Sequence, residues 1–574
     1  MNRDSTHRSR RHQEVPVSQS VSAPVAPSTS VSPSVARSLP ARDHFAPVTI
    51  PDETLYETIF GSLTLADLDR PAITDSMTGQ HVTYGELRDM VDATAGALAA
   101  RGIGKGTVVG LHAPNSLAFA VAFHGIMRVG ATATTLGSLL IASDVAKQLR
   151  DAGASHLLTF GALGDAGVRG AADAGLPADN VIDLADPDHG LAALIAEGRP
   201  APDVDPDPAT DLAVIPFSSG TTGMAKGVKL SHRNLVANLH QLDPVVRESG
   251  LEPDWTLLAV LPFFHIYGMN SLLNSSLRQR NHLVTMPSFD LAGFLALVEK
   301  HGVDISYIAP PIAVALAKHP LVDNYDLSSL AHLVSGAAAL DGELAQSVTD
   351  RIGAELVQGY GMTETSPVTH SGVPGVSPVA SIGPAVPNTE YRVVDVADES
   401  LPEILPPDAE GERSAAGELW IRGPQVMVGY LNNDEATERT ITPDGWLRTG
   451  DIVEMDHDGF VYVVDRLKEL IKYKGYQVAP AELEALLLTH PDIADAGVVG
   501  VTRPSDGEEV PRAFVVPQNR DGAPVAVDPE ALMAWVAERV TPYKKIRYVD
   551  VVPEVPKSNT GKIMRKELKQ VPLG

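Results

Sequence analysis

The chain has 574 residues, 44% of them hydrophobic and 20% charged, a size that exceeds one ordinary core and predicts two or more domains. Its formal net charge of −27 excludes a broad basic face for nucleic acid, so any anionic ligand must be met by local lysines and arginines. Cysteine is absent, which removes disulfides, thiolate metal sites and a cysteine nucleophile together, and no apolar run reaches the roughly 18 to 20 residues of a membrane span.

Residues 1–46 are rich in Ser, Pro, Val and Ala without helical or strand period, so they are expected to remain a disordered tail. Arg8, Arg10 and Arg11 are followed by no continuous apolar core, so a cleaved signal is not expected and the chain is expected in the cytoplasm. Order is expected from about Leu55. Thr83-Tyr-Gly-Glu86 is a capping box, and Leu87, Val91, Ala95 and Leu98 then recur at helical spacing. Strand-like TVVGLHA (107–113) and a helix pattern from Ser116 follow, an alternation that predicts an α/β fold with parallel layers.

Further on, Leu212–Phe217 reads as a buried strand and 231–242 as a helix opened by Ser231. The stretch SSGTTGMAKGV (Ser218–Val228) is therefore expected between strand and helix, where backbone N–H groups are free to hold an anion. After strand-like DGFVYVVDR (458–466) come a helix at 480–488, strands at 496–501 and 512–516, and a helix at 529–540. These predict three regions: the tail 1–46, a domain over 47–465 and a smaller domain over 466–574. No repeat at solenoid period is present.

In the Gly/Ser/Thr stretch, Gly220 and Gly223 let the backbone approach an anion, Ser218, Ser219, Thr221 and Thr222 offer hydroxyls, and Lys226 offers charge. By itself such a stretch reads as a flexible turn. Four ordered segments accompany it: QGYGMTE (358–364), GWLRTGD (445–451), DRLKELIKYKGYQVAPAELE (465–484) and PKSNTGK (556–562). With them the chain resembles the adenylate-forming superfamily of acyl-CoA synthetases, firefly luciferases and nonribosomal adenylation domains, from about residue 50 to the C-terminus. PFFHIYGMN and HPLVDNYDLSSL are most similar to the 4-coumarate-CoA ligase branch.

The resemblance implies a large N-terminal multi-layer α/β domain for binding AMP and a small mobile C-terminal α+β domain. It also implies ATP, Mg²⁺ and CoA, and a two-step reaction: a carboxylate attacks the α-phosphate of ATP to give acyl-AMP and pyrophosphate, and a thiol then displaces AMP. With no cysteine, the sulfur must come from outside, from CoA or a carrier protein's phosphopantetheine arm. It implies that Ser218, Ser219, Gly220, Thr221, Thr222 and Lys226 hold the β- and γ-phosphates. Gln358, Gly359 and Tyr360 would flank adenine, Thr363 would donate to the α-phosphate, and Glu364 would hold Mg²⁺. Asp451, Arg466 and Gln477 would contact AMP, and Lys562 would bridge carboxylate and α-phosphate.

For the acid, the resemblance implies His265 at the carboxylate mouth, Tyr267, Ser271, Gly336, Ala337 and Ala338 along the acyl cavity, Lys468 at a hinge and Lys472 on the adenylate. Lys474 and Gly475 would face CoA. Met224-Ala225, Ser288, Ala339 and Thr365-Ser366 depart from the branch's usual residues and leave the acid itself open. The expected activity is an ATP-dependent acid-CoA ligase for an aryl or arylpropenoic acid such as 4-coumarate. The alternatives are a medium- or long-chain fatty acyl-CoA ligase, an enzyme loading a carrier protein, or a luciferase-like oxygenase.

Overall fold

Thr83 closes a strand and opens a helix in one step: its hydroxyl accepts the Glu86 N–H at 3.2 Å while Glu86 Oε2 accepts the Thr83 N–H at 2.8 Å, the reciprocal cap expected. In the computed structural model, which describes residues 41–218, 225–250, 254–338, 340–473, 476–504, 508–520, 523–558 and 561–573, this helix is Tyr84–Ala100 and buries Leu87, Val91, Ala95 and Leu98. Ser116 likewise accepts the Phe119 N–H and starts the helix Leu117–Arg128, which is buried over nearly its whole length. One core cluster joins both helices to strands of two sheets, with Phe119, Phe123 and Phe263 fully inside. Burial of each such ring contributes roughly 1.5–3 kcal/mol.

The first of these eight-stranded sheets runs in the order Val368–Ser371, Glu355–Gly361, His332–Ser335, Ile305–Ile308, Thr256–Ala259, His282–Thr285, Pro71–Asp75, His81–Thr83. Its inner pairings are parallel and both edge pairings antiparallel. The second, also eight-stranded, includes Gly429–Tyr430, Lys226–Ser231, Leu212–Val214, Thr132–Thr135 and Val108–His112 in neighbouring positions. A five-stranded antiparallel sheet then carries Leu447–Met455 and Val461–Arg466 side by side. The periodicity of the sequence suggests parallel layers only; the antiparallel edges and this third sheet come from pairings between distant segments.

The expected strand–loop–helix around Ser218 is corrected. Phe217–Ser218 pairs antiparallel with Lys226–Ser231, opposing Ser218 to Lys226, so the Gly/Ser/Thr stretch joins two strands of a hairpin. The helix follows one strand later as His232–Glu248, with Ser231 as its cap. In Lys226-Gly-Val-Lys-Leu-Ser only the two lysines are partly exposed, while Val228, Leu230 and Ser231 are buried, as suits a strand with neighbours on both sides. Ser219, Gly220, Thr221, Thr222, Gly223 and Met224 lie outside the described residues.

Ala41–Phe45, expected within the disordered stretch 1–46, are packed against later segments. From Ala41 the chain is packed: Ala41 N–H donates to the Asp458 carbonyl, Ala41 O accepts from Ala385 N–H, and Phe45 is buried. Residues 1–40 lie outside the described residues.

After Arg466 no described strand pairs with an earlier one. Ile471–Tyr473 pairs with Tyr476–Val478, and Ile493–Thr502, Glu509–Pro517 and Tyr548–Val551 form a three-stranded sheet. The helices Pro480–Thr489 and Pro529–Ala537 pack on it through Leu483, Leu487, Leu532 and Val536. No described helix is long and apolar enough to cross a membrane.

Candidate active site

Parallel strands leave their carboxyl ends free to build a ligand crevice, and here Ile305–Ile308, His332–Ser335 and Glu355–Gly361 do so. Tyr307, Val334, Gly336, Ala337, Val357 and Gly359 line a cavity, closed on another side by Leu242, Val245, Val246 and Ser249 of the helix His232–Glu248 and its end. His265, Tyr267 and Ser271 line it from the segment that winds into the π-helix Tyr267–Asn274, a wide turn frequent at functional sites. Gly268 makes that entry possible, since a Cβ there would lie 2.2 Å from the Pro262 carbonyl oxygen.

The His265 ring accepts the Tyr267 N–H on Nδ1 at 3.3 Å, which leaves its proton on Nε2. Burial first, and the Lys562 charge second, pull it down to about 4, so it is a neutral donor at ordinary pH. The Tyr267 hydroxyl donates to the Val334 carbonyl at 3.2 Å, and its ring meets Tyr307 edge-on. Ser271 is buried with its Oγ unbonded among the described residues. Gly336 lies against the Tyr267 ring, where a Cβ would come within 2.8 Å. Ala337 follows in the left-handed region at φ 72, a conformation costly for any residue with a Cβ. Ala338 is exposed and does not line the cavity.

The Gly336 contact yields a prediction. Gly336→Ala forces the Tyr267 ring off its seat and loosens its bond to Val334, so for the acid and ATP that the resemblance implies as substrates, kcat/KM for the acid falls by about tenfold or more while KM for ATP holds. Steady-state kinetics with each substrate varied in turn checks it.

A second group adjoins the cavity through Tyr360. The Tyr360 hydroxyl donates to Asp451 Oδ2, and Arg466 Nε lies 2.9 Å from Asp451 Oδ1. Burial, then the Asp451 charge, holds the Tyr360 hydroxyl far above its usual value, so it stays a donor. Asp451 and Arg466 are register partners on antiparallel strands, which is why residues so separated from Tyr360 converge on it. Both Asp451 oxygens thus hold a protein donor, and a carboxylate retains further acceptor sites.

Lys562 enters this group from the C-terminal segment. The loop closes on itself through Ser558 N–H to Lys562 O at 2.8 Å and Lys562 N–H to Ser558 Oγ at 3.2 Å. Gly561 sits at φ +79, where a Cβ would lie 3.3 Å from Pro311 and 3.4 Å from Ala309, so the loop rests on the start of the helix Pro310–Lys318. Burial first and the Arg466 guanidinium next bring Lys562 from 10.5 down to about 8, against the pull of Asp451. Three residues on, Arg565 Nη1 pairs with Glu469 at 2.6 Å and Nη2 with Glu484 at 2.7 Å, anchoring the loop's base.

Thr363 and Glu364 share one short 3₁₀ turn and are buried. Glu364 Oε1 accepts the Tyr430 hydroxyl at 2.8 Å and the Ser218 hydroxyl at 3.3 Å, and Lys226 Nζ stands 4.5 Å over the Tyr430 ring. Among the described residues no cation forms an ion pair with Glu364. A buried carboxylate with no directly paired cation among the described residues fits a hard cation that takes one protein carboxylate and completes its shell elsewhere. No group of three or more His, Asp or Glu suited to a metal occurs among the described residues, so an all-protein cage is not what this site offers.

Several expected residues are placed differently. Gln358 spends its side chain internally: Nε2 donates to the Leu340 and Val379 carbonyls and Oε1 accepts the Leu340 N–H, so an adenine contact there falls to the backbone of 358–360. Lys468, expected at a hinge, and Lys472, expected on the adenylate of the acyl substrate, are exposed and do not line the cavity. Past Arg466 the chain leaves the five-stranded sheet, and Lys472 travels with Ile471–Tyr473, its N–H held by Glu509. Lys474, Gly475, Ala339 and the Gln477 side chain lie outside what is described. Tyr307 and Tyr430 were not singled out from the sequence; no local pattern marks them, because each acts through residues far away in the chain.

Residues 65–431 match the family described as AMP-binding enzyme, and residues 482–562 match the AMP-binding enzyme C-terminal domain. The chain is 42% identical over 542 residues to 4-coumarate–CoA ligase 5 of Oryza sativa subsp. japonica, covering 92% of this chain and 96% of that protein. Among solved structures it is similar to ATP-bound MatB from Rhodopseudomonas palustris, with TM-score 0.79, 27% identity and coverage of 90% of this chain and 98% of that one. It is also similar to a benzoate CoA ligase from Burkholderia xenovorans LB400, with TM-score 0.78, 27% identity and coverage of 90% and 100%.

Proposed function

The chain belongs to the AMP-binding enzyme family, and from that premise we propose that it activates a ring-bearing carboxylic acid of the 4-coumarate type with ATP and passes the acyl group to CoA. It is an AMP-forming acid–CoA ligase with the two-domain adenylate-forming fold. The observation that carries the reading is the meeting of three segments: Lys562 lies within electrostatic reach of both His265 at the acyl cavity and the Asp451–Arg466 pair.

In the first step a carboxylate oxygen attacks the α-phosphorus of ATP, the bond to the bridging oxygen breaks, and pyrophosphate leaves. The neutral His265 offers Nε2–H to the acid, and the Lys562 ammonium stands where carboxylate and α-phosphate would otherwise repel each other. Glu364 would hold Mg²⁺, which neutralises charge on the departing phosphates when bound. Ser218 and Lys226 flank Glu364 and are positioned for the same phosphates. In the second step the CoA thiolate attacks the acyl carbonyl and AMP leaves. Lys562 and Lys472 lie on separate segments of the small domain, so we assign the second step to a turned arrangement about the Arg466–Lys468 segment. The reading fits a compartment that supplies ATP and CoA, as the cytoplasm does.

Tyr267, Tyr307, Val334 and Val357 make the cavity lining apolar and partly aromatic, which supports an aryl or arylpropenoic acid over a small polar one. A pyrophosphate-release screen across aromatic and aliphatic acids, with and without CoA, tests the proposal. Turnover with ring-bearing acids that requires CoA is expected. Turnover with fatty acids alone would overturn the substrate class, and ADP in place of AMP would overturn the reaction.

A further inference from the structure

The wall of the acyl cavity formed by the helix His232–Glu248 has a built-in weakness. Pro244 lies inside that helix; it lacks the N–H that would bond one turn back, and its ring crowds that carbonyl. Of the cavity-lining residues Leu242, Val245, Val246 and Ser249, three follow the proline. The lining residue Val368 starts the edge strand Val368–Ser371, and Asn238 of the same helix holds its N–H and carbonyl at 3.0 and 2.8 Å, so helix and strand form one wall.

The segment just before the family match supplies a brace. Phe45 is buried in one cluster with Leu242, Val245, Val368, Val373 and Val386, three of which, Leu242, Val245 and Val368, also line the cavity. His44 Nε2 lies 2.6 Å from Glu248 at the helix's last residue. Ala41 O accepts the Ala385 N–H, while Val386 N–H donates to Thr369 O, tying the segment to the edge strand through one intervening stretch. The Arg42 guanidinium lies 4.8 Å over the Tyr391 ring and bonds Glu403 at 3.3 Å.

We propose that Ala41–Phe45 is a strap that positions the acyl-cavity wall, with Phe45 the positioning residue that sets how closely Leu242, Val245 and Val368 approach the acid. The inference rests on the reading of this cavity as the acyl site. Phe45 touches no substrate; it acts through the three residues in front of it. Removing its ring leaves space behind the wall, into which those side chains retreat.

The test is kinetic, on the full chain. Phe45→Ala is expected to raise KM for a ring-bearing acid by about tenfold, with KM for ATP within about twofold, and to improve the relative rate with bulkier acids. Phe45→Leu, which refills most of the space, is expected to restore the acid KM. His44→Ala, a milder cut that leaves the core intact, is expected to move the acid KM the same way by a smaller factor. Acid and ATP KM rising together, or an unchanged acid KM in both Phe45→Ala and His44→Ala, overturns the strap. Gly336→Ala is measured alongside: if it impairs acid use while the strap variants do not, the strap falls and the acyl-site reading stands. If Gly336→Ala leaves acid use intact, the reading itself falls and takes the strap with it.

Discussion

A Lys562→Ala enzyme is expected to release pyrophosphate at least about 10²-fold more slowly than the parent while converting a supplied acyl adenylate and CoA to thioester at close to the parent rate. The size follows from what the ammonium does: it is one preorganised charge aimed at the point where two anions must meet, and removing one such group costs about 10²–10³ in rate. The selectivity follows from placement, because Lys562 is carried by a loop whose Gly561 rests on Ala309 and Pro311 and which is not part of the sheet that holds Asp451. Equal loss in both half-reactions would refute that division.

Two companion measurements sharpen this expectation. The reaction needs the charged form of Lys562, whose value in the free enzyme is about 8. kcat/KM for adenylation is therefore full below that pH and falls as pH rises through it, and this alkaline limb vanishes in Lys562→Ala. Stability moves the other way. The folded value lies below the ordinary 10.5, so below about 8 the buried ammonium carries its full desolvation cost, and the cost is relieved as pH rises from about 8 to 10.5. Lys562→Ala is thus expected to keep or raise Tm at neutral pH, which thermal unfolding followed at pH 7 checks. A side chain that is unfavourable for stability and essential for rate is what an active site maintains.

How far this was legible in the sequence depended on distance along the chain. The caps at Thr83, Ser116 and Ser231 are local devices, and each stands where the pattern puts it. The hairpin after Ser218 was misread because Lys226–Ser231 is short and gains its other neighbour, Gly429–Tyr430, from far downstream. The same remoteness hid Tyr430, whose hydroxyl and ring serve Glu364 and Lys226 at once. Phe45 was invisible for a compositional reason: one aromatic in a Ser/Pro-rich stretch carries no period, and its burial is decided by a pocket made from residues 242–386. The motifs themselves name Lys562, Asp451 and His265, but nothing in their spacing brings the three together; that required the antiparallel pairing of Asp451 with Arg466 and the fold of the last domain onto the helix Pro310–Lys318.

Asp451→Asn is expected to behave differently from Lys562→Ala in a way that separates the two roles. Asp451 is buried on the strand Leu447–Met455, where it neutralises Arg466 and accepts from Tyr360. An amide keeps the shape but loses the charge, and one of its two terminal atoms becomes a donor facing a donor. Hydrogen bonds to a charged group are worth about 1.5–3 kcal/mol, so nucleotide use should fall by roughly 10- to 100-fold. Because this strand belongs to the large domain and AMP is bound in both steps, both half-reactions should slow, with KM for ATP raised. The substitution also acts on Lys562: Asp451 is the principal group holding that ammonium up, and Arg466 the principal charge pressing it down. With Asp451 neutral, Arg466 is unopposed, so the alkaline limb of adenylation moves to lower pH than in the parent. pH profiles of kcat/KM for the two enzymes, measured in the same buffers, read this directly, and an unmoved limb would mean that Lys562 does not sense Asp451 in the working enzyme.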